Sequence, residues 1–184
     1  MTRISLDPPP SLAVRAGNWY SRRRFGTTLE PALAMGHSPR VLKANARAEL
    51  AYEKFNRLDQ HLSHLAQMAT AATVGCEWCM DFGYWISQHA GMEPRKAYDM
   101  PRWRESDAYT DLERKVIEYA EAMSATPPAV TDEMVAGLRA DLDEAQLVEL
   151  TMMISVENQR ARFNSALGLS SQGFADRCEL KPVS

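Results

Sequence analysis

Apolar residues recur every three or four positions along most of this chain, and helix-capping residues stand in the breaks between the runs. Ser38-Pro39 supplies an N-cap followed by proline at the first helical position, so a helix is expected through VLKANARAELAYEKF. Asp59 caps a second one, whose residues Leu62, Leu65, Ala69 and Ala72 form a single apolar face and which Gly75 ends. From Cys76 a third helix is expected through CMDFGYWISQHA, stopped by Gly91 in the left-handed capping position. A short piece follows around Arg95 to Tyr98. Thr110 and Glu113 have capping-box spacing, each side chain satisfying an orphan backbone N–H. They open a helix through KVIEYAEAMSA that Pro127-Pro128 breaks. Thr131-Asp132-Glu133 begins another, with acids where the helix dipole favours them. Asp143 and Gln146 repeat the box ahead of the longest run, EAQLVELTMMISVENQRARFNSALG, which closes at Gly168. No alternating run flanks an Asn-Gly or Asp-Gly pair, so no hairpin is expected.

The pattern predicts an all-α, single-domain helical bundle. Residues 1–37 read as an N-terminal extension, 38–173 as the helical domain and 174–184 as a C-terminal tail. The polar start to about Thr28 and the segment SSQGFADRCELKPVS are expected to lie over the surface or a neighbouring subunit.

Composition narrows the function classes. A chain of 184 residues with 45% hydrophobic content suits one ordinary globular domain. Net charge −3 provides no overall attraction to nucleic acid or an anionic membrane. The one basic cluster, Arg22-Arg23-Arg24, reads as a solvated turn or subunit contact. The start MTRISLDPPPS lacks an apolar stretch of signal-peptide length, and no run approaches the ~18 apolar residues of a membrane span. A cytoplasmic location is expected, with neither nucleic acid nor membrane as a partner.

Two of the three cysteines, Cys76 and Cys79, stand three apart at the start of the third helix. Zinc is the weakest reading, because about four ligands are needed and no second Cys/His pair follows at matching spacing. The chain is expected to hold no metal or cofactor. A packed pair of small apolar thiols is the second reading. Redox use is the third. Residues three apart on a regular helix have Cβ atoms about 5–6 Å apart, whereas a disulfide requires roughly 3.8 Å. A bridge therefore needs local adjustment, which the first turn tolerates best. The partial positive charge at that end also favours thiolate over thiol. Glu77 and Asp81 would oppose this if close, and Trp78 would either shield a sulfur or anchor the core. Gly83, mid-helix at a cost of about 1 kcal/mol, suggests the close approach of another backbone or room for a small molecule over Cys79.

With VGCEWCMDFG, WRESDAYTDLERKVIEYAEAM and VTDEMVAGLRADLDEAQLVELTMMISVENQRARFNSALGL in place, the chain resembles the carboxymuconolactone decarboxylase family, alkylhydroperoxidase D-like branch, over roughly Ser38 to Gly173. The resemblance implies a helical homo-oligomer: a dimer, trimer or hexamer. It also implies a dithiol that reduces hydroperoxides and is re-reduced by an external thiol. By the family pattern Cys79 would attack the peroxide and Cys76 would resolve it. Two family positions are changed. The histidine four residues after the second cysteine is Gly83 here, and the glutamate twelve before the first is His64. Either His64 takes over as base for Cys79, or it hydrogen-bonds nearby at the border of its apolar face. In a tight antiparallel hairpin about Gly75, His64 would lie opposite Ile86, on the order of 10 Å along the axis from Cys79.

Other residues have plainer readings. Cys178 is either an extra resolving thiol or a free surface cysteine, and His89 reads as a helix-end cap. Glu157, Asn158, Arg160, Arg162 and Asn164 read as salt bridges or subunit contacts, and Met152, Met153 and Ile154 as core or interface. Thiol peroxidase is the leading expectation. Cofactor-free γ-lactone decarboxylation, as the family name implies, and a non-catalytic helical oligomer are its competitors.

Overall fold

A computed structural model describes residues 2–177, and within them regular structure is helical throughout. Nine α-helices follow one another among the described residues: α1 Leu12–Phe25, α2 Glu30–Gly36, α3 Pro39–Tyr52, α4 Gln60–Val74, α5 Glu77–His89, α6 Pro94–Tyr98, α7 Asp111–Ser124, α8 Asp132–Arg139 and α9 Glu144–Leu167. Short 3-10 turns occupy Met100–Glu105 and Ala175–Arg177.

Most caps read from the sequence are present, whereas Ser38 precedes α3 without a side-chain capping bond. Asp59 accepts from the backbone N–H of His61 and Leu62 at the start of α4. Thr110 and Glu113 form a reciprocal capping box on α7. Asp143 and Gln146 exchange two 2.8 Å bonds ahead of α9. Gly75, Gly91 and Gly168 all adopt the left-handed backbone that ends a helix.

Two compact units divide the chain. One contains the chain up to Phe55 together with Ala166–Leu169. Here residues 12–36, read as an extension with no assigned element, form α1 and α2. Ser11 caps α1, accepting from the Val14 N–H at 3.2 Å. Arg22, Arg23 and Arg24 form its last turn, where positive charge suits the dipole. Arg24 pairs with Glu53 at 2.6 Å. Ahead of α1, Arg3 donates its backbone N–H to the Leu167 carbonyl (2.8 Å) and its guanidinium to that of Ala166 (2.9 Å), capping the end of α9.

The other unit runs from Asn56 to Ser165 and resumes at Ser170. Its core is built from Leu65 and Ala66 of α4, Val116, Ile117 and Ala120 of α7, Leu138 of α8, and Leu150 and Ile154 of α9, all without solvent contact. Burying each large aliphatic side chain contributes about 1.5–3 kcal/mol. Hydrogen bonds add register. Asn158 donates to the Ser124 hydroxyl at 2.9 Å and Arg162 to the Ser124 carbonyl at 3.1 Å, tying α9 to the end of α7. These two residues therefore have hydrogen-bond partners inside the fold, where the sequence suggested salt bridges or subunit contacts.

The segment after Ser170, expected to lie over the surface or a neighbouring subunit, packs inward at Phe174. Phe174 is fully buried against Trp78, Phe82 and Trp85 of α5, with ring centroids 6.2, 5.1 and 6.1 Å away. Cys178 lies outside the described residues.

Candidate functional site

The site begins with how α4 ends. With Gly75 left-handed, the N–H of Cys76 reaches back to the Ala71 carbonyl at 3.0 Å and that of Gly75 to Ala72 at 3.2 Å, the paired bonds of a Schellman motif. Cys76 thereby leaves the helix with an extended backbone (φ −88°, ψ 96°) and becomes the N-cap of α5. One residue thus closes one helix and opens the next. That is the local adjustment the spacing demanded: Cys76 stands outside the helical turn that contains Cys79. The two are joined as a disulfide, with Cα atoms 5.2 Å apart. Cys76 Sγ takes the place of the usual capping oxygen, accepting from the Cys79 N–H at 3.2 Å.

Both cysteines are buried, Cys76 to 1% exposure and Cys79 to 7%. Among the described residues, one polar side chain hydrogen-bonds them. Asn164 on α9, itself only 2% exposed, brings Nδ2 to 3.4 Å from Cys79 Sγ and 3.9 Å from Cys76 Sγ. Sequence reasoning grouped Asn164 with the salt-bridging residues of its helix. The available signal was a poor helix former one turn beyond Ala161, on a face the core requires. One turn earlier on the same helix, Arg160 donates to Gln67 of α4 at 2.9 Å and pairs with Glu157 at 3.1 Å, as the i,i+3 spacing suggested.

The flanking acids do not face the sulfurs in the way the sequence allowed. Asp81 is buried, and its carboxylate accepts from the backbone N–H groups of Gln172 (2.8 Å), Phe174 (3.0 Å) and Ala175 (2.7 Å). Glu77 is exposed in the first turn of α5. Trp78 is a core residue: its ring stacks on Phe82 at 5.0 Å, and its Nε1–H donates to Gln172 Oε1 at 3.1 Å. His89 in the last turn of α5 bonds the Trp85 carbonyl through Nδ1 at 2.7 Å.

At the two changed family positions the structure is explicit. A Cβ on Gly83 would meet Met68 Cγ at 3.3 Å, so a methionine side chain fills the place, rather than another backbone or open room. The Ser87 hydroxyl holds that methionine, donating to its Sδ at 3.1 Å. His64 is half-buried on α4. Its Nδ1 is enclosed without a hydrogen-bond partner. Burial, and next the nearby His61, push its pKa below the ordinary 6.5, with Asp59 opposing them. Among the described residues, no hydrogen bond joins His64 to either sulfur. The fold brings together Cys76, Cys79 and Asn164, and places His64 one turn before Gln67 with its pKa lowered by burial.

Residues 39–122 match the sequence profile of the carboxymuconolactone decarboxylase family. Over 172 residues the chain is 34% identical to the uncharacterized protein YnjA of Escherichia coli, covering 91% of this chain and 94% of that one. The chain belongs to the carboxymuconolactone decarboxylase family. Among solved structures, a protein of unknown function from Agrobacterium tumefaciens superposes with a TM-score of 0.70 at 25% identity, covering 74% of this chain and 94% of that one. An alkylhydroperoxidase AhpD core protein from Ralstonia eutropha superposes at 0.79 with 16% identity, covering 95% and 94%. The debrominase Bmp8, solved with 2,3,4-tribromopyrrole, superposes at 0.82 with 18% identity, covering 96% of both chains. At such identities the last two likenesses speak to the fold alone. Within the family, this chain is of the alkylhydroperoxidase D-like branch.

Proposed function

We propose that the protein is a thiol-dependent peroxidase, using Cys79 as nucleophile and Cys76 as resolving thiol. The observation that carries the reading is the Cys76–Cys79 disulfide at the start of α5, with Cys76 as the helix N-cap. The Cys79 thiolate attacks the distal oxygen of a hydroperoxide. An S–O bond forms, the O–O bond breaks, and the departing alkoxide takes up a proton to leave as the alcohol. Cys76 then attacks the sulfenic sulfur, closing the disulfide and releasing water. Two electrons and two protons from an external thiol reductant return the pair to the dithiol. The base for Cys79 is assigned to His64, whose pKa burial lowers. Among the described residues no hydrogen bond joins it to either sulfur of the disulfide, so the imidazole would have to reach Cys79 in the reduced protein. The assembly in this reading is a homo-oligomer, and no cofactor takes part.

Stopped-flow mixing of the reduced protein with cumene hydroperoxide tests the proposal. The thiol titre is expected to fall as alcohol appears, and Cys79→Ser to abolish both. An unchanged titre rules the reading out.

A non-catalytic helical module is the second reading, favoured by Met68 filling the position where the branch places a relay histidine. In that case both thiols titrate at ordinary values, near 8.5, and neither reacts with peroxide. If lactone decarboxylation were instead the activity, it would survive replacement of both cysteines by serine.

A further inference from the structure

We propose that Asn164 is the thiolate-stabilising residue of the site, and that its amide is what makes Cys79 the more acidic of the two sulfurs. The inference rests on the redox reading of the pair and adds a residue to it. Among the described residues, two N–H donors reach the sulfurs, and they are divided between them. The first turn of α5 serves Cys76, through the Cys79 N–H at 3.2 Å. Asn164 Nδ2 serves Cys79 first, at 3.4 Å, and Cys76 only at 3.9 Å. By the helix end alone, Cys76 would be the thiol with the lower pKa. The amide from α9 redresses that balance.

The placement matters most for the reduced protein. A disulfide sulfur is a weak acceptor, so a buried primary amide facing it recovers little of its lost hydration. A thiolate is a full anion, and a donor already in place stabilises it without reorganisation. The amide is held there by its own helix. Four residues earlier, Arg160 is bonded to Gln67 at 2.9 Å, fixing that face of α9 on α4.

The test is alkylation of the reduced protein by iodoacetamide across a pH series, with Cys76 and Cys79 resolved by peptide mass spectrometry. No peroxide is involved, so this inference and the peroxidase reading fail separately. In the parent, Cys79 is expected to react with the lower midpoint. Asn164→Ala should raise the Cys79 midpoint by about one pKa unit, a tenfold loss of thiolate at a given pH below it. The Cys76 midpoint should move less. Asn164→Asp, nearly isosteric, should raise it further because a carboxylate opposes the anion, and it decides the matter if the alanine variant does not fold. Asn164→Ser retains a donor and should recover part of the shift. A Cys79 midpoint unmoved in the alanine and aspartate variants overturns the proposal. So does an equal fall in both rates with no change of midpoint, the signature of a packing role.

Discussion

Asp81→Asn is a substitution of almost no steric consequence with a large expected effect. The carboxylate gathers three backbone N–H groups at 2.8, 3.0 and 2.7 Å, and so fastens residues 172–175 onto α5. Bonds to a charged acceptor contribute about 1.5–3 kcal/mol each, but their sum overstates the loss. Once the segment detaches, water takes over the freed N–H groups. The ceiling is therefore the free energy of lifting the segment off. That comprises burial of Phe174, about 1.5–3 kcal/mol, and the Trp78–Gln172 bond, about 1 kcal/mol. The asparagine keeps one acceptor oxygen and turns an NH2 group toward donors, so most of this is forfeited. Urea unfolding should show a loss of about 2–4 kcal/mol relative to the parent. Hydrogen exchange should show the amides of Gln172, Phe174 and Ala175 losing protection before those of α5. A loss under about 0.5 kcal/mol, the range of an inert surface change, with those amides still protected, would refute the reasoning.

Three further outcomes are expected. Gly83→His should cost about 1–3 kcal/mol through overpacking against Met68, measured by urea unfolding, and adding Met68→Ala should recover part of it; a stable single variant would mean that the methionine does not hold that space. For Glu113, burial raises the pKa, but hydrogen bonds from Lys96, the Thr110 N–H and His61 outweigh it and bring it to about 2. A carboxylate with a lowered folded-state pKa binds fewer protons than in the unfolded chain, so its stabilisation is complete above about pH 4.5 and is lost as pH falls toward 2. Stability of Glu113→Gln should accordingly fall less steeply than the parent's between those limits, and parallel curves would refute it. With the His64 pKa below 6.5, the acid limb of peroxide reduction should have its midpoint under that value and disappear in His64→Gln. An unchanged limb in that variant removes His64 from the mechanism.

Helix boundaries were legible because they depend on local chemistry. Capping residues act on N–H groups two or three positions away, and a left-handed glycine acts on carbonyls of the preceding turn, so Asp59, Gly75, Thr110, Asp143 and Gly168 declared α4, α7 and α9 before any packing was known. The family motif announced the cysteine pair for the same reason: its spacing is contained within one turn. The first helix escaped notice because its exposed residues Leu12 and Trp19 are mixed with arginines and present no clean apolar face. Tertiary structure alone decided what approaches the sulfurs. Asn164 lies 85 residues from Cys79, and nothing in a linear pattern separates an amide that faces a disulfide from one that faces solvent. The partners of Asp81 are likewise more than 90 residues away. Met68 over Gly83 is a choice of rotamer and helix crossing that no periodicity contains. A sequence determines contacts whose geometry a single turn enforces; contacts across helices depend on how whole faces interlock, which is settled only when every helix has found its neighbours.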